Sequence, residues 1–166
     1  MALALVAPAL ALAQGKPSDP QIAHIVVTAN QIDIDAGKLA RSHTKNKEVR
    51  GFAQQMITDH TAVNKQAAAL AKKLGVKPED NDTSKALKKD AQANVANLKK
   101  LKDGQFDKAY IDHEVTYHEQ VLDAIDKVLV PGAQNAELKG LIEKVRPAIA
   151  THLEHAKHVQ ADLGKK

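Results

Sequence analysis

Apolar residues in this chain return at alternating three- and four-residue steps over stretches too long for any strand. Ile22, Ile25, Ala29, Ile32, Ala36 and Leu39 form one seam, and Val49, Ala53, Met56, Val63, Ala67, Leu70 and Leu74 a second. Leu87, Ala91, Leu98 and Leu101 make a shorter one. A fourth runs Ile111, Val115, Leu122, Ile125, Leu129, and a fifth Leu138, Ile142, Val145, Ile149, Ala156, Val159, Leu163. A helix turns about 100° per residue, so each seam is the buried stripe of an amphipathic helix. No stretch alternates apolar with polar in the strand period. The 166 residues are 43% hydrophobic but only 2% aromatic, so the core is built from Ala, Leu, Val and Ile. That length supports one core and one domain.

Punctuation sets the helix limits. Ser18-Asp19-Pro20 reads as a cap followed by a first-turn proline, and Gly75 as a left-handed C-cap with Pro78 beyond. Asp103-Gly104 reads as the end of the short helix and Pro131-Gly132 as the stop of the fourth pattern; Pro147, inside the last, predicts a kink or a later start. The long helices then span about 19–44, 46–74, 105–130 and 134–163, with a shorter one near 84–102. Short turns make the first two antiparallel, and likewise the last two. The short helix rises nearly 30 Å at about 1.5 Å per residue and returns the chain to the end where the second helix began. The predicted fold is an all-α, ferritin-like four-helix bundle of order up-down-down-up, with the short helix in its crossover. A five-helix up-and-down bundle has the same seams and is the alternative.

Several function classes fall away. Without cysteine there are no disulfides, thiolate metal sites or cysteine nucleophile. The net charge of +4 comes from interspersed Lys, Glu and Asp with no stacking aromatics between them, which argues against a nucleic-acid partner. Gly51, Gly75, Gly104, Gly132 and Gly140 are isolated, so no phosphate-cradling loop is expected. Ser18, Ser42 and Ser84 stand in caps or turns, which argues against a serine triad and leans the reading away from an enzyme.

The N-terminal run MALALVAPALALA ends in the small-x-small pattern Ala11-Leu12-Ala13 and is too short to anchor in a bilayer. Residues 1–13 read as a signal peptide, 14–18 as a linker, 19–163 as a single bundle domain and 164–166 as a tail. The basic residues that should precede the apolar run are missing, so the start reads as truncated or placed too far downstream. The expected location is the periplasm of a Gram-negative bacterium, with cleavage near Ala13 and no membrane anchor in the mature chain.

Histidine placement carries the functional reading. In YIDHEVTYHEQ, His113 and His118 are five residues apart, about 140° around a helix, and cannot chelate one ion. His118 occupies the seam, with Glu114 one turn before it on nearly the same face. His60 falls in the second seam and His152 in the last. Counted from a common end, His60 and His118 lie about fourteen residues in and His152 about eleven, within a few ångströms of one level; counted from the last turn, His152 and His118 fall about five residues out of register, about 8 Å, with Glu114 closer to His152. A seam imidazole left unpaired costs roughly 1–3 kcal/mol, a demand that one shared divalent ion can satisfy. His60, Glu114, His118 and His152 are therefore the candidate ligands, with Asp33, Asp59 and His155 weaker ones. Glu-x-x-His occurs nowhere, which argues against a di-iron centre and for a single zinc or copper ion. Tyr110 and Tyr117 read as packing residues.

The segments FAQQMITDHTAVNKQAAALAKKLG, FDKAYIDHEVTYHEQVL and RPAIATHLEHAKHV resemble the bacterial family catalogued as domain of unknown function 4142. The resemblance implies an export signal and a ferritin-like helical domain. It also implies a histidine after Asp in the second helix, an FDxAY opening to the fourth pattern and an HLxxA segment in the last. It implies little about activity. The expected function is metal binding, buffering or sensing outside the cytoplasm. The alternative is a metal-free envelope stress or interaction protein, with structural histidines and a surface for an unknown protein partner or a second copy.

Overall fold

The computed structural model describes residues 16–165. The expected signal peptide and the start of its linker lie outside the described residues. Among those described, all regular structure is helical.

Helix α1 (Asp19–His43) starts at a capping box: Ser18 Oγ accepts the Gln21 N–H at 3.4 Å, and Gln21 Oε1 accepts the Ser18 N–H at 3.0 Å. Helix α2 (Lys47–Leu74) is capped by Asn46 and ends at Gly75, whose φ of 64° is the left-handed value glycine adopts without strain. Helix α3 (Asp82–Leu98) is capped by Asn81. Helix α4 (Asp103–Ala124) passes into a π-helical turn, Ile125–Leu129, and then into the short α5 (Val130–Gly132). Helix α6 (Ala136–Leu163) is capped by Asn135.

Three boundaries differ from the sequence reading. Asp103-Gly104 opens α4 instead of closing the short helix, which already ends at Leu98. The fourth pattern runs on through Pro131 because the π turn intervenes, and a proline in the first turn of α5 lacks only a donor that turn does not need. Helix α6 begins at Ala136 and continues through Pro147. Ile142 and Ile149, on either side of that proline, are buried in one apolar cluster, so tertiary packing holds both halves of the helix against the core.

The topology follows from contacts at the bundle ends. His24 near the start of α1 bonds Ser84 at the start of α3, so α3 runs parallel to α1. Asp103, opening α4, pairs with Lys45 in the α1–α2 turn at 3.8 Å. The backbone N–H groups of Gln134 and Asn135, before α6, donate to the Asp19 carboxylate at 2.8 and 2.9 Å. The order is up-down-down-up, that of a ferritin-like bundle. Helix α3 buries only Ser84 and Leu98 and lies against α1, so it clads the bundle instead of joining its core as a fifth member.

Helices α1 and α2 approach closely at Gly37, where an added Cβ would lie 2.9 Å from the Ala53 carbonyl oxygen. The core is divided. One apolar cluster holds Ala36, Ala40, Val49, Phe52, Met56, Phe106, Tyr110 and Val159; the other holds Ile22, Val26, Leu129, Leu138, Ile142 and Ile149. Along α1, α2 and α6, a buried polar residue stands where one cluster gives way to the other: Asn30 and Asp33, His60, and His152. Glu114 and His118 take the same level on α4.

Candidate metal centre

Apolar seams on four helices converge on this level, so a polar residue in any of them is forced inward. His60, His118 and His152 are each 1–2% exposed, with ring centroids 5.9 Å (His60–His118), 5.2 Å (His60–His152) and 5.6 Å (His118–His152) apart. One nitrogen of each lies within 4.8 Å of the other two.

The other nitrogen of each ring is already committed. Asn30 Nδ2 donates to the Val26 carbonyl at 2.8 Å, which turns its oxygen toward His60 Nδ1 at 2.7 Å and makes that nitrogen the donor. His118 Nδ1 donates to the Glu114 carbonyl at 2.9 Å, and His152 Nε2 to the Asp59 carboxylate at 2.9 Å. A neutral imidazole carries one N–H, so His60 Nε2 and His118 Nε2 are left as bare lone pairs, while His152 Nδ1 is the ring nitrogen turned away from Asp59. These three are the ring nitrogens of the trio that have no hydrogen-bond partner and are closed to solvent. Burial, reinforced by the neighbouring rings, pushes His60 down to about 3; burial likewise takes His118 down to about 4 against the opposing Glu114 carbonyl. Both rings are neutral at pH 7.

Two carboxyls complete the layer. Asp33 and Glu114 are 3% and 1% exposed, and an oxygen of each lies within 4.8 Å of a His118 nitrogen. Asp33 Oδ2 sits 3.4 Å from His60 Nε2, and Glu114 Oε2 3.5 Å from His118 Nδ1. Burial raises Asp33 to about 8, with a hydrogen bond from Glu114 pulling the other way; Glu114 is raised well above its usual value, by burial first and then by the Asp33 charge. The pair therefore holds protons at neutral pH unless a cation compensates it. Neutral imidazoles and carboxylates are donors for divalent transition metals, and the hydrogen bonds behind each ring fix its tautomer and aim. The cluster is able to hold a metal ion.

The family described as a domain of unknown function, DUF4142, matches residues 4–159. The chain belongs to the DUF4142 family. No curated protein matches this DUF4142 chain. Among solved structures it is similar to a DUF305 protein from Streptomyces coelicolor, with a TM-score of 0.73 at 13% identity, covering 87% of this chain and 92% of that one. It is also similar to CopM in the Cu(II)-bound form, with a TM-score of 0.69 at 13% identity, covering 89% and 99%. At that identity the likeness concerns the helical fold.

Within the DUF4142 bundle two trios overlap at His118: His60, His118 and His152 in one, and Asp33, Glu114 and His118 in the other. Asp59 stands behind His152, on the ring nitrogen facing away from the bare one. His155 is outside the layer: its Nδ1 bonds Gln55 Oε1 at 2.9 Å and its ring meets the edge of Phe52. His113 also stays out, stacked on Tyr117 and lowered to about 4 by burial, so it is more covered than a residue simply facing away from the seam. Tyr110 and Tyr117 are buried packing residues, Tyr117 donating to the Ala29 carbonyl at 3.1 Å.

Asn30 escaped the sequence reading because the α1 seam was drawn through Ile32 and Leu39. The deeper face runs Val26, Asn30, Asp33, Gly37, Ala40; Ile32 instead lines the groove under α3. Two polar residues at helical steps on one stripe were the available signal. His24, Ser84 and Asp80 also come together unannounced. Both His24 Nδ1 (2.9 Å) and Asp80 Oδ1 (2.7 Å) engage the same Ser84 oxygen, which is fully buried in the α3 cap, so the trio lacks the relay order of a hydrolytic triad. Among the described residues no helix is long and apolar enough to cross a membrane.

Proposed function

We propose that this DUF4142 chain binds one divalent transition-metal ion, copper or zinc, through His60 Nε2, His118 Nε2, His152 Nδ1 and the Glu114 carboxylate, with Asp33 as a further carboxylate beside it. The observation that carries the reading is the set of three buried imidazole nitrogens without hydrogen-bond partners, beside a buried carboxyl pair that clusters with His118. A cation meets both demands at once: it accepts the lone pairs and neutralises the carboxylates. The role is binding, buffering or sensing. Copper is the first ion to test, because the CopM structure of similar fold is a Cu(II)-bound form. Export is part of the reading. It is supported by the apolar run ending in Ala11-Leu12-Ala13 and by the likeness in fold to a DUF305 protein of Streptomyces coelicolor described as secreted.

The test uses residues 14–166 without a histidine tag. Bound metal is quantified, and melting is compared with Cu(II), Zn(II) or a chelator. Binding to the folded state stabilises by RT ln(1 + [L]/Kd), about 2.7 kcal/mol at a hundredfold excess over Kd. His118→Ala should abolish that gain. If the chain retains no metal and its melting temperature ignores both ions, the second reading stands instead. In it the histidines are structural, and the carboxyl pair stays protonated in a metal-free core.

A further inference from the structure

The polar layer touches water through one group. His60, His118, His152, Asp33 and Glu114 are each at most 3% exposed, and Asn30 is 7% exposed. Asp59, bonded to His152 Nε2 at 2.9 Å, has a side chain 42% exposed. On the other flanks the layer is backed by protein. Asn30 stands behind His60 and the Glu114 carbonyl behind His118, while the Tyr117 hydroxyl bonds Ala29 across the α1–α4 contact.

Next to Asp59 the same seam is lined with ligand-type groups. Gln55 lies one turn before it on α2, and His155 lies three residues after His152 on α6. Both are partly exposed and are joined to each other at 2.9 Å. His152 thus spans the boundary, with one ring nitrogen on the half-exposed carboxylate and the other on the buried side.

We propose that Asp59, flanked by Gln55 and His155, is the port through which a divalent cation enters the layer, and that His152 is the ligand that moves to admit it. The inference rests on the metal-binding reading. A carboxylate at the mouth of an otherwise closed site concentrates cations there. A cation engaging Asp59 competes with the His152 N–H for the same oxygens. Losing that bond frees the imidazole to turn, and no other ring of the layer has a partner that solvent ions can reach.

Asp59→Asn tests this, because it keeps an oxygen acceptor for His152 and removes only the charge. Uptake of Cu(II) by the mature chain is followed by stopped flow at 0.01 M and 0.15 M salt. The expected result is an association rate about tenfold slower for the variant at low salt. The gap should narrow as the screening length falls from about 30 Å to about 8 Å. Saturating metal should still fill both proteins. Equal association rates, or a defect confined to dissociation, overturn the port and leave Asp59 as a positioning residue for His152. Failure of the unsubstituted chain to take up Cu(II) overturns the metal reading and the port together. Asp59 is half-exposed, so a melting curve matching the parent confirms that the variant is folded.

Discussion

The side-chain oxygen of Asn30 lies 2.7 Å from Nδ1 of His60 on the neighbouring helix, and the amide cannot flip without giving up its 2.8 Å bond to the Val26 carbonyl. One residue outside the first set of candidates therefore decides which nitrogen of His60 faces the layer. Asn30→Leu should cost about 1–3 kcal/mol in urea unfolding by orphaning that N–H. It should also weaken metal affinity about 10–100-fold in a competitive chelator titration. Asn30→Asp, which keeps an acceptor, should lose less affinity. Equal affinities for the parent and the leucine variant would show that the tautomer is not set here.

Proton linkage gives the metal-free chain two opposing limbs. His60 and His118 fall from 6.5 to about 3 and about 4 on folding, so acidification below 6.5 protonates the unfolded chain first and stability declines. Asp33 runs the other way. Raised from 3.8 to about 8, it contributes stability that is full below 3.8 and lost as pH rises through 8. Each proton linkage is worth about 1.4 kcal/mol per pH unit within its window. In the overlap between 3.8 and 6.5 the Asp33 slope only partly offsets those of the two imidazoles, so stability should be greatest near 6.5 and drop on both sides. Urea midpoints from pH 4 to 9 check this. Asp33→Asn or saturating Zn(II) should flatten the alkaline limb, and a parent midpoint unchanged from pH 6.5 to 8.5 would contradict it.

Two glycine-to-alanine changes should have opposite signs. At Gly37 the new Cβ meets the Ala53 carbonyl oxygen at 2.9 Å and Ile57 Cγ1 at 3.1 Å, so the α1–α2 contact must open, at a cost of about 1–3 kcal/mol. At Gly51 nothing lies within 4 Å, and alanine should stabilise α2 by up to about 1 kcal/mol. Thermal melts of the two variants decide the matter.

Phe52 supports the layer from the apolar side, its ring edge-on to Tyr110, His118 and His155 at 6.2, 6.5 and 5.3 Å. Phe52→Ala should lose about 3–5 kcal/mol of stability. Phe52→Leu should recover most of that while leaving metal affinity near the parent value. An alanine variant as stable as the parent would mean that the cluster collapses around the gap.

Much of this molecule could be read from helical period alone. Seams marked the four long helices, and one of two residue counts put His60, His118 and His152 near one level, the other leaving His118 and His152 out of register. What escaped depends on how helices meet. Helix α1 is covered on two sides, by the bundle and by α3, so its apolar residues do not mark a single inward stripe, and Asn30 was lost among them. The π turn has no local signature: it lets Ile125 and Leu129 both stay buried ahead of Pro131, a demand set by packing. The neutral state of the rings also comes from burial, which spacing does not reveal.

The donors of the layer are spread along the chain in the order Asp33, His60, Glu114, His118, His152. A polypeptide delivered N-terminus first assembles the set only when α6 docks, since the unfolded chain holds no preformed site. On the metal-binding reading, the full donor set exists only once that helix is in place. Intrinsic affinities of such donors follow the metal series more than the protein's needs. The ion such a site took up would then be governed by the supply in the compartment where the final helix closes, and the address of the chain would become part of its selectivity.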